Sequence, residues 1–350
     1  MSPRIKELDA LRGIAALGVV FFHYTLGRAE AQYGFKLGIT GVDLFFMISG
    51  FVIFMSIQNV STSLEFAVNR FTRLYPTYWT CVTITALLQL LLIISSSNNM
   101  VDLSVSKYLI NLTMLQHYFS VNDIDGSYWT MIIEMVFYIF IALALSLKLV
   151  KYVIPICVVI LVMIGVYSIL LEQEFPTLNT TLTYWARLFA HFPLFFAGIL
   201  FFKIWQQQTK WVLNYLLIAL CFIIQCSLYN NSSKASSYIS NTEYMTMLIV
   251  YFILFILFVN HKLQFIVTKS TLFLGKISFA LYLIHQFTST AIIIPYVLNH
   301  LIQNFWFAAF IALIISISIA TLITYFIEIP IGKKLNTALK VKLRLPVSHP

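Results

Sequence analysis

The feature that most constrains this chain is a series of apolar runs, at roughly 8–27, 39–58, 78–96, 127–147, 152–171, 184–205, 211–229, 244–260, 272–298 and 305–327. A helix of about twenty residues crosses the hydrocarbon core of a bilayer, and in lipid only helices and closed barrels satisfy every backbone group. A barrel would show short alternating segments instead of long unbroken runs. The expected fold is therefore all-α, a polytopic transmembrane helical bundle of about ten helices. Composition agrees, since 60% of the 350 residues are hydrophobic and 10% charged, against roughly a quarter charged in a soluble domain. The run at 244–260 is short, that at 272–298 contains Pro295, and Lys107 to Phe119 reads as a re-entrant or interfacial helix.

Basic residues set the orientation. Arg4, Lys6, Arg70, Arg73, Lys148, Lys151, Lys203, Lys210, Lys262, Lys269, Lys333, Lys334, Lys340, Lys342 and Arg344 fall on one side, and only Arg28, Lys36, Lys107 and Lys234 on the other. The positive-inside rule then puts both termini in the cytoplasm. The net charge of +9 is scattered singly between apolar runs and forms no long patch beside stacking aromatics, so no nucleic-acid partner is expected. The basic start and first apolar run resemble a signal peptide, but no small-residue cleavage pattern follows and Arg12 interrupts the run, so a retained first helix is expected. Cys81, Cys157, Cys221 and Cys226 lack CxxC or Cys/His spacing, which points to neither disulfides nor a metal site. No internal repeat, low-complexity tract or Gly/Pro-rich linker marks a second domain. The expected division is one transmembrane domain over 1–332 and a basic cytoplasmic tail over 333–350, interfacial or disordered.

Polar residues inside apolar runs are costly and mark functional sites. Arg12 and His23 lie eleven residues apart in LDALRGIAALGVVFFHY, nearly on one helical face and about 16 Å apart along the axis. His23 reads as a functional histidine or as a structural one bonded to a neighbouring helix. In GVDLFFMISGF, Asp43 sits near the outer end, where a helix dipole also favours it. Ser49 and Gly50 there let a helix or ligand approach closely. Arg70 and Arg73, three apart, suit bidentate phosphate binding or serve as interfacial anchors beside Tyr75, Tyr78 and Trp79. Asp125 and Gly126 signal a turn, and Glu134 lies two turns into the following helix, where it needs a His, Arg or hydroxyl partner. Tyr184, Arg187 and His191, spaced three and four, would share one face of a helix entering from outside. Ser278, Tyr282 and His285 form another stripe, and Glu328 meets the inner interface just before Pro330.

Six segments, taken together and in order, resemble the integral-membrane acyltransferase 3 family, whose members move acyl groups, usually acetyl, onto hydroxyls of cell-surface carbohydrates. They are LDALRGIAALGVVFFHY with its Arg-x10-His, GVDLFFMISGF, NRFTRLYPTYW, DGSYWTMIIEMVFY, LGKISFALYLIH and YFIEIP, and they cover almost the whole chain. The resemblance implies a ten-helix catalytic unit in a bacterial inner membrane, with no bound cofactor and with cytoplasmic acyl-CoA, most simply acetyl-CoA, as co-substrate. The acceptor would be a surface glycan or lipid-linked saccharide at the outer face. Carried over by motif, Arg12 and His23 are the essential pair and Arg70 and Arg73 lie by the donor's phosphates. Glu134, Tyr282 and His285 belong to the polar lining, with Ser49, Tyr282 and His285 grouped on the donor side. Asp125, Trp129, Tyr184, Arg187 and His191 are candidate acceptor contacts. Met131 and Met135 stand where relatives often carry leucine and glutamate, which leaves Glu134 the only acid there. Many relatives continue into an extracytoplasmic SGNH-type hydrolase domain. Since this sequence ends at Pro350, such a second step is expected from elsewhere.

Chemistry gives these residues roles. A neutral His23 would take the proton of the attacking hydroxyl, with Glu134 or Asp43 fixing its tautomer. Arg12 would hold donor phosphate or pantetheine, or polarise the thioester carbonyl. Direct transfer and an acyl-histidine intermediate are both compatible with the sequence. The rival function is a transporter or flippase for an acylated or lipid-linked saccharide, but no inverted repeat with broken helices is visible. O-antigen, capsule, exopolysaccharide, peptidoglycan and small hydroxylated metabolites are all compatible acceptors.

Overall fold

The computed structural model describes residues 5–96, 103–171, 174–175, 181, 184–206, 211–229 and 235–346. The described residues are mostly helical and contain no strand. In chain order the helices are α1 (Lys6–Thr25), α2 (Gly41–Ser56), α3 (Ser63–Ser96), the short α4 (Val105–Asn111), α5 (Trp129–Ser146) and α6 (Val153–Val166). There follow α7 (Phe192–Trp205), α8 (Trp211–Ser227), α9 (Asn241–Val259), α10 (Lys269–Phe287), α11 (Ile294–His300), α12 (Phe305–Ile323) and α13 (Ile329–Lys342). Among the described residues, seven helical stretches are long and apolar enough to cross a membrane: Phe35–Asn59, Ser63–Ile94, Gly126–Ser146, Val150–Leu170, Asn241–Val259, Lys269–His300 and Phe305–Lys342. Phe189–Trp205 and Trp211–Ser227 are shorter apolar helices, and α1 runs for 20 residues with Arg12 and His23 on it.

Several boundaries differ from those expected, each for a local reason. The helix expected from residue 78 starts at Ser63 and passes through Pro76. Proline has no N–H, so the carbonyl of Thr72, four residues back, loses its helical donor. Gly332 packs against that carbonyl, where a Cβ would come within 2.9 Å of the oxygen. Pro295 falls in the first turn of α11, where a missing N–H is tolerated, and α10 reaches α11 through a π-helical turn over Thr288–Ile293. Between Lys107 and Phe119 the chain makes α4, capped by Ser104, and then one turn at Gln116–Phe119. Tyr75 and Trp79, read as an interfacial belt, donate to the carbonyls of Thr113 and Leu112 at 3.0 and 2.9 Å. The stretch read as a tail from 333 begins inside α13.

Contacts divide the chain into two compact units. The first comprises Met1–Phe22, Gly27–Ser63 and Ile133–Gly275. Its helices meet through glycine. A Cβ at Gly50 would collide with the Phe195 backbone, and one at Gly198 with the Met47 carbonyl, so α2 and α7 approach at backbone distance. A Cβ at Gly13 would lie 2.7 Å from the Gly275 nitrogen, and one at Gly275 would strike the Asp9 carbonyl, which brings α1 against the start of α10 in the same way. The second unit comprises His23–Leu26, Leu64–Ile132 and Lys276–Pro350. Here α13 lies on α3. Lys340 donates to Glu65 at 2.9 Å with both side chains buried, and Asn336 donates to Asn69 and Thr72 at 3.0 and 2.9 Å.

Filling the α2–α7 contact should be costly. Gly198→Val should destabilise the purified protein by about 1–3 kcal/mol, the usual range for overpacking. Gly18→Ala, whose Cβ meets nothing nearer than 3.8 Å, should leave the thermal midpoint in detergent unchanged. Equal midpoints for Gly198→Val and wild type would show that α2 and α7 do not cross at backbone distance.

Candidate active site

In the second unit, the last turn of α1 carries His23 and Tyr24, and α10 carries Tyr282 and His285 one turn apart. Nδ1 of His285 lies 2.8 Å from the Tyr282 carbonyl and 3.1 Å from that of Leu281. Carbonyl oxygens only accept, so in neutral His285 the proton is on Nδ1 and the lone pair on Nε2. That nitrogen is 2.9 Å from Nδ1 of His23, so the His23 Nδ1–H donates to it. The lone pair of neutral His23 is thereby placed on Nε2, the nitrogen able to take up a proton. His285 is fully buried and His23 partly exposed, so the inner ring orients and the outer one is accessible. His285 thus fills the position at His23 Nδ1 that the sequence assigned to Glu134 or Asp43.

Neighbouring polar groups hold this pair in place. The Tyr24 hydroxyl bonds Ser289 at 2.6 Å and Ser316 at 3.2 Å, and the two serines bond each other at 2.9 Å, all buried. Ser289 lies on the π-helical turn that follows His285, a geometry frequent at functional sites. Tyr282 bonds the Thr130 hydroxyl at 2.8 Å. Asp125 accepts from the Ser127 N–H at 2.9 Å, the Ser127 hydroxyl at 3.0 Å and the Phe287 N–H at 3.0 Å. Its carboxylate, read as an acceptor contact, is buried and fastens the start of α5 to the end of α10. Trp129, the other candidate acceptor contact there, is also buried. On α3, Arg73 is exposed and Arg70 half-buried, its guanidinium 5.5 Å from the centre of the Phe66 ring.

The first unit holds most of the remaining candidates in three groups. Arg12 lies 4.0 Å from Asp9, one turn earlier, at the outer limit of an ion pair. Ser49 donates to Glu134 Oε1 at 2.8 Å, and the Tyr138 hydroxyl donates to the same oxygen. Asp43 and His191 are both buried, 3.5 Å apart. Asp43 also bonds the Tyr244 hydroxyl, which accepts from Gln225 at 3.0 Å, and Gln225 donates in turn to the Ala190 carbonyl at 3.0 Å. Tyr184 and Arg187 do not share a helical face with His191, because α7 starts only at Phe192 with Pro193 in its first turn, the position proline prefers.

A family described as an acyltransferase domain matches residues 5–325. The chain belongs to the acyltransferase 3 family. A protein of Acidianus two-tailed virus named "Putative acetyltransferase ORF330" is similar to it, 23% identical over 288 residues, which is 81% of this chain and 82% of that protein. No solved structure matches the chain. With its long apolar helices, it is a multi-pass membrane acyltransferase.

Several polar partners in this acyltransferase were not picked out from its sequence. Asp9 stands three residues before Arg12, and Tyr138 four after Glu134, spacings that place each on its partner's face. Tyr244, Gln225, Ser289 and Ser316 come from distant segments and carry no such signal.

Burial raises the Asp125 carboxyl from the usual carboxylate range to about 6, against the hydrogen bonds from Ser127 and Phe287 that favour its ionised form. Folded protein therefore keeps this proton where unfolded chain has lost it, and the stability contributed is complete below about pH 4 and lost as pH rises through about 6. The difference in thermal midpoint between wild type and Asp125→Asn should shift against wild type from pH 4 to pH 7. A difference that does not vary with pH would contradict the raised value.

Proposed function

We propose that this membrane acyltransferase moves an acyl group, acetyl in the first instance, from cytoplasmic acyl-CoA to a hydroxyl of a surface glycan or lipid-linked saccharide, in a bacterial inner membrane. The observation that carries the proposal is the His23–His285 hydrogen bond, which leaves a basic nitrogen on a partly exposed ring. In the step we envisage, His23 Nε2 takes the proton of the acceptor hydroxyl as its oxygen attacks the thioester carbonyl carbon. The tetrahedral intermediate collapses, the C–S bond breaks, and the imidazolium returns its proton to the departing CoA thiolate. His285 is a positioning residue, since it acts through His23. Arg12, with Asp9 4.0 Å away, is assigned to the donor or to the negative charge that develops on the carbonyl oxygen. Arg70 and Arg73 are assigned to the donor's phosphates.

Ten membrane crossings with both termini in the cytoplasm fit this role. We count as those crossings the seven long apolar helices, the two shorter ones and α1. The basic residues gather at one set of their ends.

The test is transfer from radiolabelled acetyl-CoA to extracted surface glycans by purified protein. His23→Ala should lower transfer by about 10²–10⁴-fold, the range for a general base. His285→Ala should lower it by about 10–100-fold, as loss of an orienting partner does. Wild type that neither labels glycan nor hydrolyses acetyl-CoA, yet moves a lipid-linked saccharide across vesicles, would make the polar residues a permeation path and overturn the proposal.

A further inference from the structure

Helix α13 is fixed on α3 in one register, within the second unit. Gly332 faces the Thr72 carbonyl, Asn336 bonds Asn69 and Thr72, and Lys340 bonds Glu65. Contacts that run up one helix run down the other, so the two are antiparallel. Both charges of the Lys340–Glu65 pair are buried, and sliding the helices by one turn would leave each without its partner, a severe penalty.

This register has a consequence for the surface beside it. At about 100° per residue, Lys333 lies roughly 60° to one side of the 332–336–340 stripe, and Arg73 roughly 70° to one side of the 65–69–72 stripe. For two right-handed helices packed antiparallel, these are the same side. Lys333 follows Gly332 and Arg73 follows Thr72, the residues in contact, so along the antiparallel axes the two positions step apart by only about 3 Å. Arg70 lies further round on that side. Arg73 and Lys333 are exposed, and neither has an ion-pair partner among the described residues.

We infer that Lys333 joins Arg70 and Arg73 in a single cationic cluster that binds the phosphates of the acyl donor. The inference rests on the proposed use of acyl-CoA. Two guanidinium forks suit bidentate phosphate contacts, and an ammonium adds a compact third charge, a set matched to a ligand carrying a diphosphate and a separate phosphomonoester. In this account the buried Lys340–Glu65 pair serves to bring a lysine from the far end of the chain to the two arginines.

The probe is CoA itself, titrated calorimetrically into the full-length protein in nanodiscs of neutral phosphatidylcholine. Lys333→Gln should weaken binding by about 3–10-fold, the loss of one exposed charge contact to phosphate. Lys334→Gln, on the opposite face of α13, should bind as wild type does. CoA lacking its phosphomonoester should bind wild type more weakly and lose its sensitivity to Lys333→Gln. Wild type that binds no CoA overturns the donor reading itself, whereas wild type and Lys333→Gln binding CoA equally well overturn this inference alone. Nanodiscs containing phosphatidylglycerol separate the two sources of phosphate. A Lys333→Gln effect seen only in them assigns the cluster to lipid headgroups and overturns the assignment to the donor.

Discussion

The site depends on one hydrogen bond, between Nε2 of His285 and Nδ1 of His23 at 2.9 Å. A membrane histidine can exist in two neutral tautomers, and only one presents a base to a substrate. Two backbone carbonyls of α10 decide which, because they accept from His285 Nδ1 and leave its other nitrogen to accept from His23. The decision is therefore made by backbone. No carboxylate is needed in that position, and an uncharged orienting group avoids burying a second charge beside the base.

The rest of each unit keeps such contacts in register. Glycines at 13, 50, 198 and 275 let helices approach until side chains one or two atoms long can meet, which is how helices associate where lipid removes the hydrophobic driving force. Buried polar side chains then meet in small sets. Tyr24 bonds Ser289 and Ser316, Asp43 with His191 and Tyr244 leads to Gln225, and Glu134 takes Ser49 and Tyr138. Each set joins helices distant in sequence, so each specifies packing as well as polarity. The π-helical turn after His285 belongs to the same scheme, because it brings Ser289 to Tyr24.

The sequence discloses what lipid dictates. Apolar runs near twenty residues long had to be helices, and Arg12, His23, Glu134 and His285 stood out because charge and imidazole are costly there. Local backbone chemistry was harder to weigh. The run expected from 78 starts at Ser63 and carries Pro76 inside α3, where a glycine on α13 packs against the carbonyl that the proline leaves without a donor. The run expected over 184–205 contains Pro193, which marks the first turn of α7, so the stripe from Tyr184 to His191 does not form. Pairing was not legible at all. His23 and His285 are 262 residues apart, and nothing in either segment names the other as partner, whereas Asp9 with Arg12 could have been read from spacing alone.

The most direct measurement is ¹⁵N NMR of the histidine rings in the purified full-length protein, assigned with His23→Gln and His285→Gln variants, at a pH where both rings are neutral. The account predicts that His23 and His285 both carry their proton on Nδ1, and that His23 loses this preference when His285 is replaced. A His23 ring protonated on Nε2 in wild type, or one whose tautomer is indifferent to His285, would contradict it.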